Sequence, residues 1–241
     1  MLKLSYDLHI HSCLSPCGDE DMLPSNIVGM AYLKSLDVIA VTDHNSCKNC
    51  PAVLKLAEQY NMIALPGMEL CTMEEVHVLC LFAELDDAIR FGEYVSSKLL
   101  KIPNDENVFG KQEIYDEEDN RIGTEPYLLI NATDISFDEL SDLMQEYHGI
   151  YIPAHLDKNS NSLISNLGFV SPNADFPCAE LANLTHLQEL SERNPYLKKC
   201  NIITDSDAHM LGNINEAENF LDCERRSRKS VIRALSGRES R

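Results

Sequence analysis

Two histidines, His9 and His11, stand in the stretch Y-D-L-H-I-H-S-C-L-S-P-C-G-D that runs from Tyr6 to Asp19. On an extended chain, side chains two apart leave the same face, so both imidazoles can reach one ion. Metal pairs on a helix use i and i+4 instead, so this spacing places the pair on a strand. Leu2 and Leu4 alternate with polar residues ahead of it, and Pro16 and Gly18 close it with a turn. An isolated pair of this kind reads more readily as two histidines of a half-buried strand. The rest of the chain changes that balance. Of eight histidines, His9, His11, His44, His77, His155 and His209 all lie in or directly after strand-like apolar runs, and Asp19, Glu69 and Asp207 recur in the same relation. Imidazoles and carboxylates together suit Zn, Mn or Fe better than Ca or Mg. So many donors exceed the needs of one or two ions and suit three divalent cations with positions left open for water.

The elements that must position these donors follow a strand and helix rhythm. Pro24 opens a helix carrying Ile27, Met30, Ala31 and Leu33, and the run from Asp37 to Thr42 has the continuous apolar character of a strand buried on both faces. A helix over about Pro51 to Tyr60 and a strand over Met62 to Pro66 follow, leading to Glu69. His77 begins another strand-like run, a helix is expected from Asp86 to Lys101, and the rhythm then breaks. Residues 102–130 turn polar and turn-rich, which predicts a hairpin-like insertion whose acidic run at 116–120 is a solvated turn; it lacks the ligand spacing of a calcium loop. A capped helix near Ser136 to Tyr147 precedes the strand that ends at His155, a helix is expected over Asn159 to Asn166, and strands over Cys178 to Leu181 and Asn201 to Thr204 lead to Asp205-Ser206-Asp207-Ala208-His209. A basic-rich helix closes the chain at Ser227 to Leu235. No linker divides the chain, so residues 1–241 are expected to form one α/β domain with its site at the strand ends.

Composition narrows the function. With 44% hydrophobic and 24% charged residues the chain is an ordinary globular protein, and its longest apolar runs are too short to span a bilayer. No membrane partner is expected. The opening M-L-K-L-S-Y-D lacks the apolar core of a signal peptide, which makes the cytoplasm the expected location. Nine cysteines are an odd number, and reduced thiols are expected. A formal charge of -19 argues against a protein that grips a long nucleic acid by its own field. An anionic substrate would need bound cations to receive it.

The motifs D-L-H-I-H-S (7–12), T-D-H-N (42–45), P-G-M-E-L (66–70), E-V-H-V-L (75–79), I-P-A-H (152–155) and D-S-D-A-H (205–209) together resemble the PHP superfamily, the polymerase and histidinol phosphatase family, over nearly the whole chain. The resemblance implies a distorted (β/α)7 TIM-like barrel and a stand-alone metal-dependent phosphoesterase. By position it implies that His9, His11 and Asp207 hold a first ion and His77 and His155 a second, with Glu69 bridging them. Asp19, His44 and His209 would hold a third. The first-motif acid departs from the family spacing: S-P-C-G-D-E-D is longer, so Asp19 is chosen by counting back from Pro24, with Glu20 and Asp21 as rivals. The mechanism implied is attack on phosphorus by a water of lowered pKa, with Lys158 as a phosphate clamp and His209 or Asp19 protonating the leaving oxygen. Arg225 or Arg226 could reach the same phosphate, and Asp43 or Asp205 could orient a histidine.

The expected substrate is a small phosphorylated metabolite, with a nucleotide favoured over histidinol phosphate. A non-catalytic metal-binding module is the second class, and ligand completeness argues against it. Hydrolysis of C–N bonds is the third; Glu69 takes the place that a carbamylated lysine would hold there. Cys47-x-x-Cys50 has no second pair to complete a zinc site, Cys13 and Cys17 read as buried bystanders, and His148 and His186 as surface residues.

Overall fold

The computed structural model describes residues 1–170 and 175–237. Strands β1 (Leu2–Ile10), β2 (Val38–Val41) and β3 (Ile63–Cys71) run parallel, linked by α1 (Pro24–Leu33) and α2 (Cys50–Gln59). Both helices carry proline in the first turn, where its missing N–H removes no helical hydrogen bond. The run V-I-A-V in β2 is buried on both faces: Val38 and Ala40 join one apolar cluster, Ile39 and Val41 the other. That is the reason the strand reads as continuously apolar rather than alternating.

The rhythm then changes direction. Only residues 72–76 separate β3 from β4 (His77–Phe82), too few for a crossover helix, so β4 returns antiparallel. After α3 (Leu85–Lys98), α4 (Glu106–Phe109), the antiparallel hairpin β5 (Glu113–Tyr115) and β6 (Arg121–Thr124), and α5 (Leu140–Glu146), strand β7 (Gly149–Pro153) pairs antiparallel to β4 and so runs with β3. The capping box at Ser136 and Glu139 forms as its spacing predicts. Helix α6 (Leu163–Leu167) starts later than expected because Ser162 caps it. There follow β8 (Cys178–Glu180), α7 (Leu187–Arg193), β9 (Asn201–Ile203), β10 (Phe220–Cys223) and α8 (Arg228–Leu235).

The architecture is α/β, as expected, but the ladders do not form a regular (β/α)7 barrel. One curled sheet of six strands has the order β10-β1-β2-β3-β4-β7, and β8 pairs with β9 in a separate parallel ribbon. A few backbone hydrogen bonds link the sheet to the ribbon and the loop after it: Leu156 N–H donates to Glu180 O at 2.9 Å, His11 N–H to Ala208 O at 2.9 Å, and Ala208 N–H to His9 O at 3.3 Å. The carboxyl ends of β1, β2, β3 and β7 and the amino end of antiparallel β4 therefore share one edge. No helix among the described residues is long and apolar enough to cross a membrane.

Candidate metal centre

Glu69 lies within β3, 1% exposed, and its two oxygens are the point on which the histidines converge. Its Oε1 is 2.9 Å from His77 Nδ1 and 3.3 Å from both His9 Nε2 and His155 Nε2. Its Oε2 is 3.0 Å from His44 Nδ1 and 3.3 Å from His11 Nε2. Asp207 faces the same space, with Oδ1 3.3 Å from the Nε2 atoms of both His9 and His11. Each element delivers its donor to the shared edge. His9 and His11 end β1, His44 follows β2, His155 follows β7, and His77 starts β4, which reaches the same edge because that strand is reversed. His155 (φ 31°) and Asp207 (φ 50°) hold left-handed backbone, at a cost of about 1–3 kcal/mol each.

The surrounding hydrogen bonds fix the imidazole tautomers. His9 Nδ1 is 3.0 Å from Glu180 Oε1, and a carboxylate only accepts, so Nδ1 carries the proton and Nε2 a bare lone pair. Ser15 Oγ donates to Asp43 Oδ1 at 2.7 Å and accepts from His44 N–H at 3.1 Å and from His11 Nδ1–H at 3.0 Å. His11 Nε2 is thereby bare as well, and the two Nε2 atoms lie 3.2 Å apart. Two buried lone pairs facing two carboxylates repel unless a cation stands among them. The protonation equilibria show the same tension. Burial opposes a charge on His9, yet Glu180, Glu69 and Asp207 lift its pKa well above the usual imidazole value. His77, also against its burial, is raised to about 10 by Glu69. His44 goes the other way: burial, reinforced by the His11, His77 and His209 imidazoles, holds its pKa well below the usual value despite Glu69. Glu69 stays far below the carboxylate range despite burial, because His77, His9 and His44 surround it. His155 Nδ1 is buried without a hydrogen-bond partner, and His44 Nδ1, although 3.0 Å from Glu69 Oε2, does not meet it in hydrogen-bond geometry. Ligating atoms within 4.8 Å of one another form three overlapping groups: His9, His11 and Glu69; His44, Glu69 and His77; and His11, Cys17, His44 and His209. Residues of these types so arranged fit divalent metal ions.

Asp19 is the expected donor that does not join. Its carboxylate is exposed and accepts the Asp21 N–H at 2.9 Å, while its own N–H donates to His209 O at 2.9 Å. Neither Glu20 nor Asp21 is in the three groups. Cys17 is in one of the groups, and it is exposed rather than the buried bystander expected. Cys13 is buried against Glu113 O, and Cys47 and Cys50 point their thiols at Gly67 O, at 3.2 and 3.4 Å. Lys158 does reach the centre, by an ion pair with Asp207 that keeps its pKa raised against the effect of burial. Arg226 does not: it binds Asp37 and Asn61 O at the far end of the strands, and Arg225 shares that loop, because β10 is antiparallel to β1. Asp205 accepts the Leu8 N–H and orients no histidine; Asp43 acts on His11 only through Ser15. His148 and His186 are exposed and pair with Asp87 and Asp157. Sequence reasoning missed Glu180, although it is a carboxylate at the end of a strand, the same signal that singled out Glu69.

No family model matches the chain. An uncharacterized protein of Methanocaldococcus jannaschii is 33% identical over 76 residues, 28% of this chain and 44% of the relative, so the alignment spans less than half of that protein's length. Among solved structures, the lesion-specific endonuclease Q of Pyrococcus furiosus superposes with a TM-score of 0.65 at 17% identity over 98% of this chain and 56% of its own. Endonuclease Q in complex with a 27-mer duplex carrying an abasic lesion at the active site gives 0.65 at 18%, over 98% of this chain and 57% of the other. A protein of Bifidobacterium adolescentis proposed to be a metal-dependent phosphoesterase gives 0.58 at 18% over 97% and 98%. A two-domain protein of Bacteroides vulgatus, containing a predicted PHP-like metal-dependent phosphoesterase, gives 0.55 at 15% over 98% and 63%. The resemblance read from the motifs thus holds at the level of the fold. The expectation that long nucleic acid is excluded is corrected: a protein of this fold acts on duplex DNA. Net charge counts a whole surface, whereas a phosphate backbone meets the local field of a site, where bound cations supply positive charge.

Proposed function

We propose that this chain, which carries the fold of PHP-like metal-dependent phosphoesterases, is itself a metal-dependent phosphoric ester hydrolase. The observation that carries this reading is the convergence of His9, His11, His44, His77 and His155 on the two oxygens of one buried carboxylate, Glu69. Divalent ions held by these residues with Asp207 and His209, three in number with zinc, manganese or iron as the candidates, would supply a water of lowered pKa and neutralise phosphoryl oxygens. The protein's own part is positional. Glu180 and Ser15 keep the Nδ1 protons of His9 and His11 in place, so that Nε2 faces inward. Lys158, paired with Asp207 and partly exposed, is placed to meet a phosphate oxygen. His209 belongs to the cluster; Asp19, whose N–H donates to His209 O, would protonate the leaving oxygen only with its carboxylate turned from the Asp21 amide toward the site.

The substrate favoured is a nucleotide phosphomonoester. The likeness to endonuclease Q over 98% of the chain supports a second reading, scission of a polynucleotide strand. All nine cysteines are free, which suits a reducing compartment such as the cytoplasm. We read residues 1–241 as one domain with 102–130 inserted. The test is metal analysis with a phosphate-release screen over nucleoside monophosphates, 3',5'-bisphosphates, sugar phosphates and histidinol phosphate, run beside nicking of an abasic duplex. His9→Ala and Glu69→Ala should abolish whatever activity appears. Stoichiometric metal with no ester cleaved would return the chain to the class of non-catalytic modules.

A further inference from the structure

The cluster of His11, Cys17, His44 and His209 contains a donor that the motifs do not call for. One ligating atom from each of the four lies within 4.8 Å of the others. His11 and His44 are buried, and the His11 and His209 rings stack at 4.4 Å between centroids. The carboxylate that motif counting puts here, Asp19, is turned outward onto the Asp21 amide.

The loop that carries Cys17 is held on several sides. Asp43 accepts from Ser12 N–H at 2.7 Å, from Ser12 Oγ at 2.6 Å and from Ser15 Oγ at 2.7 Å. Gly18 N–H donates to Ser15 O at 2.9 Å, closing a tight turn around Pro16 and Cys17. A Cβ on Gly18 would stand 2.3 Å from Ser12 O, so glycine alone permits this turn. The next amide, Asp19 N–H, donates to His209 O at 2.9 Å. That bond ties the Cys17 turn to the loop bearing His209. The thiol is thus placed by backbone against the imidazoles and does not hang free.

We propose that Cys17 is a metal ligand, its thiolate joining His11, His44 and His209 around one ion at the position where sequence counting puts Asp19; His11 then gives its single bare Nε2 to this ion and not to the one that the resemblance assigns to His9, His11 and Asp207. The proposal rests on the metal-centre reading above. Binding displaces the thiol proton to solvent, so the ion gains one negative donor, as it would from a carboxylate. The difference is softness. Three imidazoles and a thiolate suit zinc, cobalt(II) or iron(II) in tetrahedral geometry and disfavour manganese and magnesium, which prefer oxygen. This position should therefore discriminate among metals more sharply than the pair bridged by Glu69.

The test is cobalt(II) titration of the metal-stripped full chain, followed by absorption and by metal counting. The wild-type protein should develop a near-ultraviolet sulfur-to-cobalt charge-transfer band beside the visible d–d bands. Cys17→Ser should lose the charge-transfer band and one ion per chain, while Cys13→Ser and Asp19→Asn keep both. Circular dichroism should show Cys17→Ser folded as the wild type. Visible cobalt bands without a sulfur band, or a sulfur band surviving Cys17→Ser, would overturn the assignment while leaving the metal centre standing. Loss of an ion in Asp19→Asn but not in Cys17→Ser would restore the carboxylate. Failure to bind cobalt at all would overturn the metal-centre reading and this proposal with it.

Discussion

His9 Nδ1 lies 3.0 Å from Oε1 of Glu180, and the other oxygen of that carboxylate accepts the backbone N–H of His155 at 2.7 Å. One acid, 2% exposed, thus orients two strand ends that both supply histidines. Removing it in Glu180→Ala should free the His9 ring to rotate and to swap its tautomer. Partners of this kind typically contribute 10–100-fold in metal affinity, so a loss of about that size is expected. Competition with a chromophoric chelator measures it, and an unchanged affinity would show that packing alone holds the ring.

Stability should follow metal concentration. The apo centre gathers bare imidazole nitrogens and two carboxylates in a buried space, and ions that bind only the folded state stabilise it by mass action. At free metal about 100-fold above the dissociation constant the gain is about 2.7 kcal/mol per site. Chelation should therefore lower the melting temperature, and added zinc should restore it. Glu69→Gln should flatten this response, because the amide cannot take up the charge of two ions. Thermal melts over a zinc series check the point.

The reach of the sequence differs from element to element. The buried run of β2 and the histidines at strand ends were legible because a strand covered on both faces leaves no polar position to blur its signal. The reversal at β4 is legible too, in the span from Thr72 to Val76, which is too short for the crossover that a β/α rhythm requires. Strand β10 escaped notice: it is a short edge strand whose Phe220 is 53% exposed and whose Cys223 alone is buried, so neither alternation nor a run marks it. Cys17 could not have been chosen over Asp19 by spacing, since the choice depends on how tightly the S-P-C-G turn folds on Ser12.

The far end of the molecule offers a pH test independent of the metal centre. Asp37 accepts from Arg226 at 2.6 Å and from Ser5 N–H at 3.0 Å. Partial burial works against its charge, but these donors outweigh it and lower its pKa. A depressed carboxylate stabilises the fold above its unfolded pKa, about 3.9, and that contribution is lost as pH falls through the folded value. Since the pair is partly exposed, Arg226→Ala should cost no more than about 1 kcal/mol at pH 7. Urea melts should show that difference at pH 7 and its disappearance near pH 3.

The inserted segment braces the Cys17 turn, and one glycine makes that contact possible. Gly110 ends α4 with φ 91° and ψ 175°, a region essentially closed to other residues. A Cβ there would lie 2.6 Å from Pro16 O, against backbone and not against a side chain that could move aside. A little further on, Glu113 N–H donates to Cys13 O at 3.1 Å, so the insertion meets the loop both within the turn and ahead of it. Gly110→Ala must therefore strain α4 or push Pro16, and with it Cys17, away from His209. A loss of about 1–3 kcal/mol in stability is expected. The cobalt–sulfur band should weaken in the same variant while the Glu69-centred ions stay bound. Equal loss of all ions would mean that the insertion supports the whole centre and not this one loop.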